Sequence, residues 1–377
     1  MDFSLSPEQN LIFDTAFEFG QKTIEPHALE WEDSFIPKDV LKEAGELGFS
    51  ALYVDGKDGG SGLSRLDSIL VFEALAMACP SVSSFISIHN MCAWMISRYG
   101  NSQVKDEFLA PMIKMDKICS YCLTEPNSGS DSAALQTSAE KTNDGFKLNG
   151  SKAFISGGNF SDFYLSMVRT GGIGPKGISA VLVKQGTKGL SFGKHEQKMG
   201  WKSQPTAEVI FADCSIPAKN LLGKEDEGFI YAMQGLDGGR LNTAAAALGG
   251  AQTSLNKAKQ YMKERPAFGK KLRDFQGLQF KIADMEIAIN ASRTFLREAA
   301  WKLDNGSTDA SIYCAMAKKF VTDHAFTVAN DALQLLGGYG YLADYGIEKI
   351  VRDLRVHQIL EGTNEIMQVM IARHFLR

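Results

Sequence analysis

The spacing of apolar residues divides the chain into three segments, and the first of them is helical. Up to about residue 118, apolar side chains recur every three or four positions, as at Leu11, Ile12 and Phe19 and again at Ile69 and Phe72. This is the period of an amphipathic helix with one apolar face. The first segment is therefore predicted to be a layer of helices.

The second segment, from about 119 to 225, has a shorter period. β-rich runs at 146–148, 163–168, 178–183 and 208–211 alternate with clusters of turn residues. One of the predicted turns is Asn149-Gly150. Strands at this spacing are typical of an antiparallel sandwich or barrel and not of βαβ units.

The third segment, from 226 to the end, returns to long helical patterns. They cover 240–264, 276–304, 309–336 and a last stretch that ends at 377, and together they predict a four-helix bundle. The predicted fold class is mainly α with a β insert (α+β). Its parts are an N-terminal helical domain (1–118), a middle antiparallel β domain (119–225) and a C-terminal helical bundle domain (226–377).

Composition and charge exclude several classes of protein. Of the 377 residues, 44% are hydrophobic and 22% are charged, which is the balance of a globular protein with a buried core. The 40 basic and 44 acidic residues give a net charge of −4, so nucleic acid is not expected as a partner. No apolar run approaches the roughly 20 residues of a membrane span, so no membrane association is expected.

The N-terminal residues and the cysteines indicate the cellular compartment in which the protein is expected. The first residues lead into a helix signal, with Ser6 as the cap, Pro7 in the first turn and Gln9 completing a capping box. They show neither the basic start and apolar stretch of a secretory signal nor the arginines of a mitochondrial presequence. The six cysteines are scattered, which suits a reducing compartment. No cluster of histidines and cysteines predicts a metal site.

Some motifs match a known pattern without its context. Residues 172–177 and 338–343 fit the dinucleotide-binding glycine fingerprint, but the first leads into a predicted strand and the second follows a predicted helix. That fingerprint functions between a strand and the start of a helix, so a Rossmann site is not predicted. Cys119 and Cys122 form a lone CxxC pair, which is more typical of strand residues than of zinc or redox chemistry.

Three separated motifs carry more information together than singly. They are residues 121–131, residues 154–158, and residues 335–340 followed by 359–365. Taken alone, they have ordinary explanations as a turn, a hairpin end and a helix start that favours acidic residues. Together they resemble the acyl-CoA dehydrogenase family, over residues 3–377. The short branched-chain members are the most similar, through 60–67, 86–95, 149–157 and 355–362.

The resemblance implies a reaction and a catalytic residue. Members of the family remove the α-proton and the β-hydride of an acyl-CoA, which leaves a 2-enoyl-CoA and reduced FAD. Glu361 matches the catalytic base. Other members carry their glutamate at the position of Gly239, next to Arg240, so only Glu361 remains for this role. Its backbone N–H and a flavin hydroxyl are expected to form the oxyanion hole.

The resemblance also implies binding residues. For FAD they are Tyr121, Cys122, Leu123, Thr124, Gly129, Ser130, Phe154, Ile155, Ser156, Arg265, Phe268, Phe275, Gln276, Gln334, Leu335, Gly337, Gly338, Thr363 and Glu365. For the acyl-CoA they are Ser130, Asp237, Arg240, Leu360, Glu361, Gly362 and Arg373. Straight-chain members usually have tyrosine where this chain has Leu360, so a smaller side chain there leaves room for a branch, although Leu360 has an alternative role in packing.

These expectations define one principal hypothesis and several alternatives. The expected reaction is isobutyryl-CoA to methacrylyl-CoA, as in valine catabolism, with an electron-transferring flavoprotein as the electron acceptor. The expected assembly is a homotetramer, a dimer of dimers. The expected location is the cytoplasm of a bacterium or, for a processed eukaryotic chain, the mitochondrial matrix. The alternatives are a butyryl-CoA or 2-methylbutyryl-CoA dehydrogenase, an acyl-CoA oxidase, and a helical scaffold that has lost FAD.

Overall fold

The N-terminal part of the computed structural model, which describes residues 4–376, is a layer of helices. Its helices are α1 (Pro7–Phe19), α2 (Trp31–Ser34), α3 (Lys38–Glu46), α4 (Arg65–Ala78), α5 (Pro80–Tyr99), α6 (Ser102–Val104) and α7 (Ala110–Ile113). The predicted capping box is confirmed, because the Ser6 hydroxyl accepts from the Gln9 N–H and the Gln9 side chain accepts from the Ser6 N–H. Helix α1 therefore begins where the sequence predicts.

A β-sheet follows the first helices. Its strands are β1 (Cys119–Cys122), β2 (Ser138–Lys141), β3 (Gly145–Ser156), β4 (Phe163–Arg169), β5 (Ile178–Lys184), β6 (Leu190–Phe192), β7 (Thr206–Pro217) and β8 (Leu221–Leu222). Their order is β6-β7-β3-β2-β4-β5-β8, and β1 pairs with β4 on the side. The β1–β4 and β2–β4 pairings are parallel, so the sheet is mixed rather than wholly antiparallel.

The predicted turn at Asn149-Gly150 is wrong. Both residues lie inside β3, where the register against β7 shifts between Leu148 and Gly150. Gly150 has φ +140°, and a Cβ there would lie 2.7 Å from the Thr137 backbone. The local sequence favours a turn, but β3 continues through it. The two steps from Leu148 to Gly150 oppose three steps from Cys214 to Phe211, a β-bulge whose extra residue lies on β7.

The sequence of strand β4 does not alternate between apolar and polar residues, and its packing explains why. Phe163 and Leu165 pack in a hydrophobic cluster with residues of α5, whereas Tyr164 and Val168 pack in the separate cluster within the sheet. Both faces of the strand are therefore apolar. This double burial fixes the sheet against the N-terminal helices.

The C-terminal part is a bundle of long helices. It contains α8 (Gly228–Glu264), the hairpin β9 (Pro266–Ala267) and β10 (Lys270–Lys271), α9 (Gln276–Asp304), α10 (Ala310–Leu336), α11 (Ile347–Arg355) and α12 (Asn364–Phe375). Helix α8 contacts α4, α5, α9 and α10, and its buried alanines Ala244–Ala247 allow this close packing. The predicted fold class is confirmed. The last predicted segment is divided between α11 and α12, and Glu361 lies in the loop between them.

Two structural features are absent from residues 4–376. None of their helices is long and apolar enough to cross a membrane. No group of three or more histidine, cysteine, aspartate or glutamate side chains in that range is placed to hold a metal ion. Cys119 and Cys122 are buried, free thiols on β1.

Candidate active site

The loop that carries Glu361 is anchored at both ends. Before it, His357 is fully buried: its Nδ1–H donates to the Thr243 carbonyl of α8 at 3.0 Å, and its Nε2 accepts from Trp201 Nε1 at 3.2 Å. After it, the Thr363 hydroxyl caps α12 by accepting from a backbone N–H. Glu361 itself has φ +55°, a left-handed conformation that costs a non-glycine residue about 1–3 kcal/mol. Such strain persists only where surrounding contacts maintain it.

The Glu361 carboxylate faces a glycine on α8. A Cβ built on Gly239 would lie 2.5 Å from Glu361 Oε2, so a side chain at 239 and the present carboxylate would compete for the same space. Oε2 is buried and has no hydrogen-bond partner within residues 4–376. Burial raises the pKa of Glu361 to about 7, although the nearby charges of Arg240 and Lys318 act in the opposite direction. A carboxylate in this state is suited to accept a proton near neutral pH.

A buried arginine lies beside the carboxylate. Arg240 is 4% exposed, and its Nη1 donates to Asp237 Oδ1 at 2.6 Å. The Ser311 hydroxyl donates to the same oxygen at 2.9 Å. Arg240 Nε is a further buried atom without a partner in the described part of the chain. Burial raises the pKa of Asp237, although Arg240 and Ser311 oppose the shift.

Tyr121 contributes another unpartnered polar atom. Its hydroxyl is buried and makes no hydrogen bond to any described residue. Burial raises the pKa of Tyr121 well above its ordinary value, and the neighbouring Glu361 charge raises it further. Together with Glu361 and Arg240, this residue leaves polar atoms on β1, α8 and the 361 loop that a bound molecule can satisfy.

Hydrogen bonds between the ends of β1 and β3 bring the sequence motifs 121–131 and 154–158 together. The Ala153 N–H donates to the Thr124 carbonyl at 2.8 Å, and the Ser120 hydroxyl donates to the Ser156 carbonyl at 2.6 Å. The residues Thr124 and Ser156 are half-buried, and their side-chain hydroxyls make no hydrogen bond to any residue that the structure describes. Beside them, Phe154 is 70% exposed with φ +59°. The result is two hydroxyl donors next to an open aromatic face.

A buried ion pair lies behind this junction. Lys152 is fully buried, and its Nζ lies 2.7 Å from Glu125 Oε1 and 3.2 Å from the Leu123 carbonyl. Glu125 also accepts from the backbone N–H groups of Gln136 and Thr137. Burial disfavours its ionised form, but Lys152 and these hydrogen bonds outweigh that effect and hold the pKa of Glu125 below its usual range. The ion pair thus links the segment after β1 to β3 in the protein interior.

A third group of predicted residues surrounds a separate cavity. Arg265 and the segment 334–338 line a cavity of about 660 Å³ between α8, α9 and the end of α10. The Arg265 guanidinium lies 5.3 Å from the Tyr339 ring centroid. Phe268 is 96% exposed and packs edge-on against Phe275 at 6.2 Å. This cluster presents the exposed Arg265 guanidinium and the rings of Phe268, Phe275 and Tyr339 to its surroundings.

The remaining predicted residues differ in exposure. Buried in hydrophobic clusters are Cys122, Leu123, Ile155 and Leu335. Exposed are Gly129, Ser130, Gln276, Gln334, Gly337, Gly338, Glu365 and Arg373, the last of these in the final turn of α12. Half-buried are Leu360 and Gly362, on either side of Glu361.

Sequence reasoning missed several residues around the carboxylate. Lys318 of α10 is fully buried beside the Glu361 loop. Arg65 of α4 lies over the Tyr53 ring, 3.5 Å from its centroid. Its guanidinium also lies so close to Gly238 of α8 that a Cβ at position 238 would overlap it. Lys318 belongs to none of the motifs named above, and Arg65 lies in the 60–67 segment, which indicated the family but no site residue. Only the packing of α4 and α10 against α8 brings them to the site.

Comparisons with known proteins agree along the whole chain. Residues 6–116, 120–214 and 226–376 match the N-terminal, middle and C-terminal domain models of acyl-CoA dehydrogenase. The mitochondrial isobutyryl-CoA dehydrogenase of Bos taurus is 50% identical over 99% of this chain and 90% of its own length. Its counterpart from Dictyostelium discoideum is 52% identical over 98% and 89%.

A chain in one of the solved structures has a backbone similar to that of this protein. A chain in the structure described as the electron transferring flavoprotein of Acidaminococcus fermentans superimposes with a TM-score of 0.97. It is 41% identical in sequence, and the match covers 100% of both chains.

Proposed function

Because this chain belongs to the acyl-CoA dehydrogenase family, we propose that it oxidises isobutyryl-CoA to methacrylyl-CoA with Glu361 as the catalytic base. The enzyme is an FAD-dependent oxidoreductase of acyl-CoA substrates. The observation that carries the proposal is the Glu361 carboxylate: it is buried without a hydrogen-bond partner and faces the space left by Gly239.

The proposed chemistry assigns proton transfer to the protein. Glu361 takes the α-proton of the thioester, and burial that raises its pKa to about 7 matches its basicity to neutral pH. The Glu361 backbone N–H donates to no other group within residues 4–376, so it is free to donate to the thioester oxygen where enolate charge develops. FAD, when bound, supplies the hydride acceptor for the β-carbon.

The described residues fit the cofactor. The free hydroxyls of Thr124 and Ser156 are proposed to donate to the flavin edge, with the exposed Phe154 ring beside it. Arg265 and the 334–338 segment are proposed to hold the diphosphate and adenine, because a guanidinium pairs well with phosphate oxygens. The buried Arg240 and the half-buried Asp237 are proposed to lie at the CoA side of Glu361.

Replacing Arg265 by alanine should weaken FAD retention without unfolding the protein. Arg265 is exposed at the edge of its cavity, so its removal deletes a charged contact and disturbs little packing. The FAD-to-protein absorbance ratio after gel filtration measures the effect. Lys263→Ala is the matched control, since Lys263 is exposed two residues away in the last turn of α8. Equal FAD retention in Arg265→Ala and Lys263→Ala would refute the assignment.

The substrate assignment depends on the side chain that precedes the base. Leu360 is smaller than tyrosine, so we expect Leu360→Tyr to disfavour a branch at the α-carbon. A pocket that gains or loses such volume discriminates by about 10–200-fold. Anaerobic flavin bleaching with isobutyryl-, 2-methylbutyryl-, butyryl-, isovaleryl- and octanoyl-CoA measures the preference. Leu360→Tyr should lower the isobutyryl-to-butyryl ratio of kcat/KM.

A neighbouring substitution controls for nonspecific effects on this loop. Ile359→Tyr adds the same ring at a residue that is 50% exposed, and it should leave the isobutyryl-to-butyryl ratio unchanged. Preference of the unmodified enzyme for butyryl-CoA or octanoyl-CoA would overturn the isobutyryl assignment. An unaltered ratio in Leu360→Tyr would show that Leu360 only packs.

The proposed partners follow from the family and the surface. An electron-transferring flavoprotein is the proposed electron acceptor, in line with the structural match described above. A homotetramer is the proposed assembly, since large apolar side chains such as Phe268, Phe280, Ile287 and Tyr341 are exposed. The proposed location is the mitochondrial matrix for a eukaryotic chain, as the names of the two relatives suggest, and the cytoplasm for a bacterial one.

A further inference from the structure

Lys318 is a buried cation in α10 that the chemistry above does not use. Its side chain is fully buried, and within residues 4–376 its amino group bonds to neutral oxygens and forms no ion pair with a carboxylate. Burying an ammonium group without a directly paired anion costs free energy. The contacts that it makes in return are therefore informative.

Those contacts all lead to the loop of the catalytic base. Lys318 Nζ donates to the Gly362 carbonyl at 2.9 Å and to Asn364 Oδ1 at 2.9 Å. The Asn364 amide in turn donates to Asp323 Oδ1 at 2.7 Å and to the Thr322 hydroxyl at 3.0 Å. One face of α10 thus holds both the residue after Glu361 and the first residue of α12.

The loop needs such support because its backbone is strained. Glu361 has φ +55° and Gly362 has φ +86°, so two successive residues occupy the left-handed region. The Gly362 carbonyl belongs to the peptide that joins Gly362 to Thr363, one peptide beyond Glu361, and Lys318 is its donor. Without that hydrogen bond, the backbone torsion angles of Gly362 are less restricted, and a change in them displaces Glu361 together with its carboxylate.

We propose that Lys318 is a positioning residue for proton abstraction: its amino group fixes the Gly362 carbonyl and thereby holds the Glu361 carboxylate against Gly239. This inference rests on the proposed function of Glu361 as the base. Lys318 acts through the loop and touches neither the acyl-CoA nor the cofactor.

The charge of Lys318 gives a second, independent readout. Four charged groups face it: Glu361 from the loop, Arg240 from α8, Asp323 from its own helix and Glu365 from α12. Burial lowers the pKa of Lys318 to about 7, and burial raises the pKa of Glu361 to the same value, so the lysine carries most of its charge on the acidic side of the Glu361 titration. Because that charge lowers the pKa of Glu361, its loss should move the acidic limb of the pH profile to higher pH.

Stopped-flow flavin reduction by isobutyryl-CoA, measured from pH 6 to 9 on holoenzymes, tests the proposal. Lys318→Met should lower the limiting rate by about 10²-fold, the effect of a misplacement of about 1 Å, and should displace the acidic limb upward. Lys318→Gln keeps an N–H donor without the charge, so it should lose less rate but show the same displacement. Lys259→Met, on α8 and 36% exposed in an ion pair with Glu286, should match wild type in both.

Further measurements separate positioning from a purely structural role. FAD content, the thermal midpoint and the Kd of acyl-CoA should change little in the Lys318 variants. The inference would be overturned if the rate fell only in proportion to the loss of FAD or of stability while the acidic limb of the pH–rate profile stayed at its wild-type position. If Lys318→Met does not fold, Lys318→Gln provides the test. An acidic limb of its pH–rate profile at the wild-type position would refute the proposal.

Glu361→Gln, measured in parallel, distinguishes this inference from the proposed function. If Glu361→Gln still reduces its flavin, the proposed function fails. If it is inactive while both Lys318 variants behave as wild type, only the role of Lys318 fails.

Discussion

Glu361→Gln should bind FAD and isobutyryl-CoA normally but reduce its flavin about 10²–10⁴-fold more slowly than wild type. Glutamine has nearly the same shape as glutamate, but its amide does not accept the α-proton at neutral pH. The pKa of the Glu361 carboxyl lies at about 7 because of burial. The wild-type rate at low substrate concentration should therefore rise with pH up to about 7 and then level off. Glu361→Gln should lack that limb.

Anaerobic stopped-flow spectroscopy measures the rate, and titration of FAD absorbance measures acyl-CoA binding. A rate near wild type in Glu361→Gln would show that another group takes the proton. Loss of acyl-CoA binding in the variant would instead indicate that Glu361 serves binding.

Moving the carboxylate provides a gain-of-function test. A Cβ at position 239 would point into the space now held by Glu361 Oε2, so the double variant Gly239→Glu, Glu361→Gly can place a carboxylate near the same α-carbon. Glycine at 361 also relieves the left-handed strain at φ +55°. The double variant should recover part of the activity that the single Glu361→Gly variant lacks. No recovery would mean that the approach from α8 is geometrically unsuitable.

Lys152→Met should be strongly destabilising, by about 3–5 kcal/mol, because it leaves the Glu125 carboxylate buried without its cation. Lys152 is fully buried and Glu125 is 7% exposed, with 2.7 Å between Nζ and Oε1. The pair joins the Leu123–Glu125 turn to β3, so FAD retention should fall together with the thermal midpoint. Differential scanning calorimetry of the holoenzyme and FAD absorbance measure the two effects.

Two further variants test the reason for this loss. Lys147→Met removes another lysine from β3, but one whose side chain is 43% exposed and lies 3.9 Å from Asp213. This control should change stability by no more than about 0.5 kcal/mol. Glu125→Gln combined with Lys152→Met removes the unpaired charge and should restore part of the loss. If the double variant is less stable than Lys152→Met, an unpaired carboxylate is not the cause.

The sequence alone determined the elements that depend on short-range physics. A period of three to four apolar residues marked the helical segments, because it reports which face of a helix is buried. Short β-rich runs between clusters of turn residues marked the β segment. The capping box at Ser6 and Gln9 was readable because its hydrogen bonds join residues three positions apart. Glu361 was identified through a motif, and that motif gave its identity but not its environment.

Only the tertiary structure decided what surrounds that glutamate. Gly239, Arg240 and Lys318 lie 122, 121 and 43 positions before Glu361 in the chain, and no local pattern relates them to it. The same limit explains the error at Asn149-Gly150, where pairing with β7 overrode a strong local turn signal. The pKa of the Glu361 carboxyl, the orientation of its loop and the support from Lys318 all depend on burial and on charges from other elements. Such interactions act through space, so they exist only once α8, α10 and the loop are packed together.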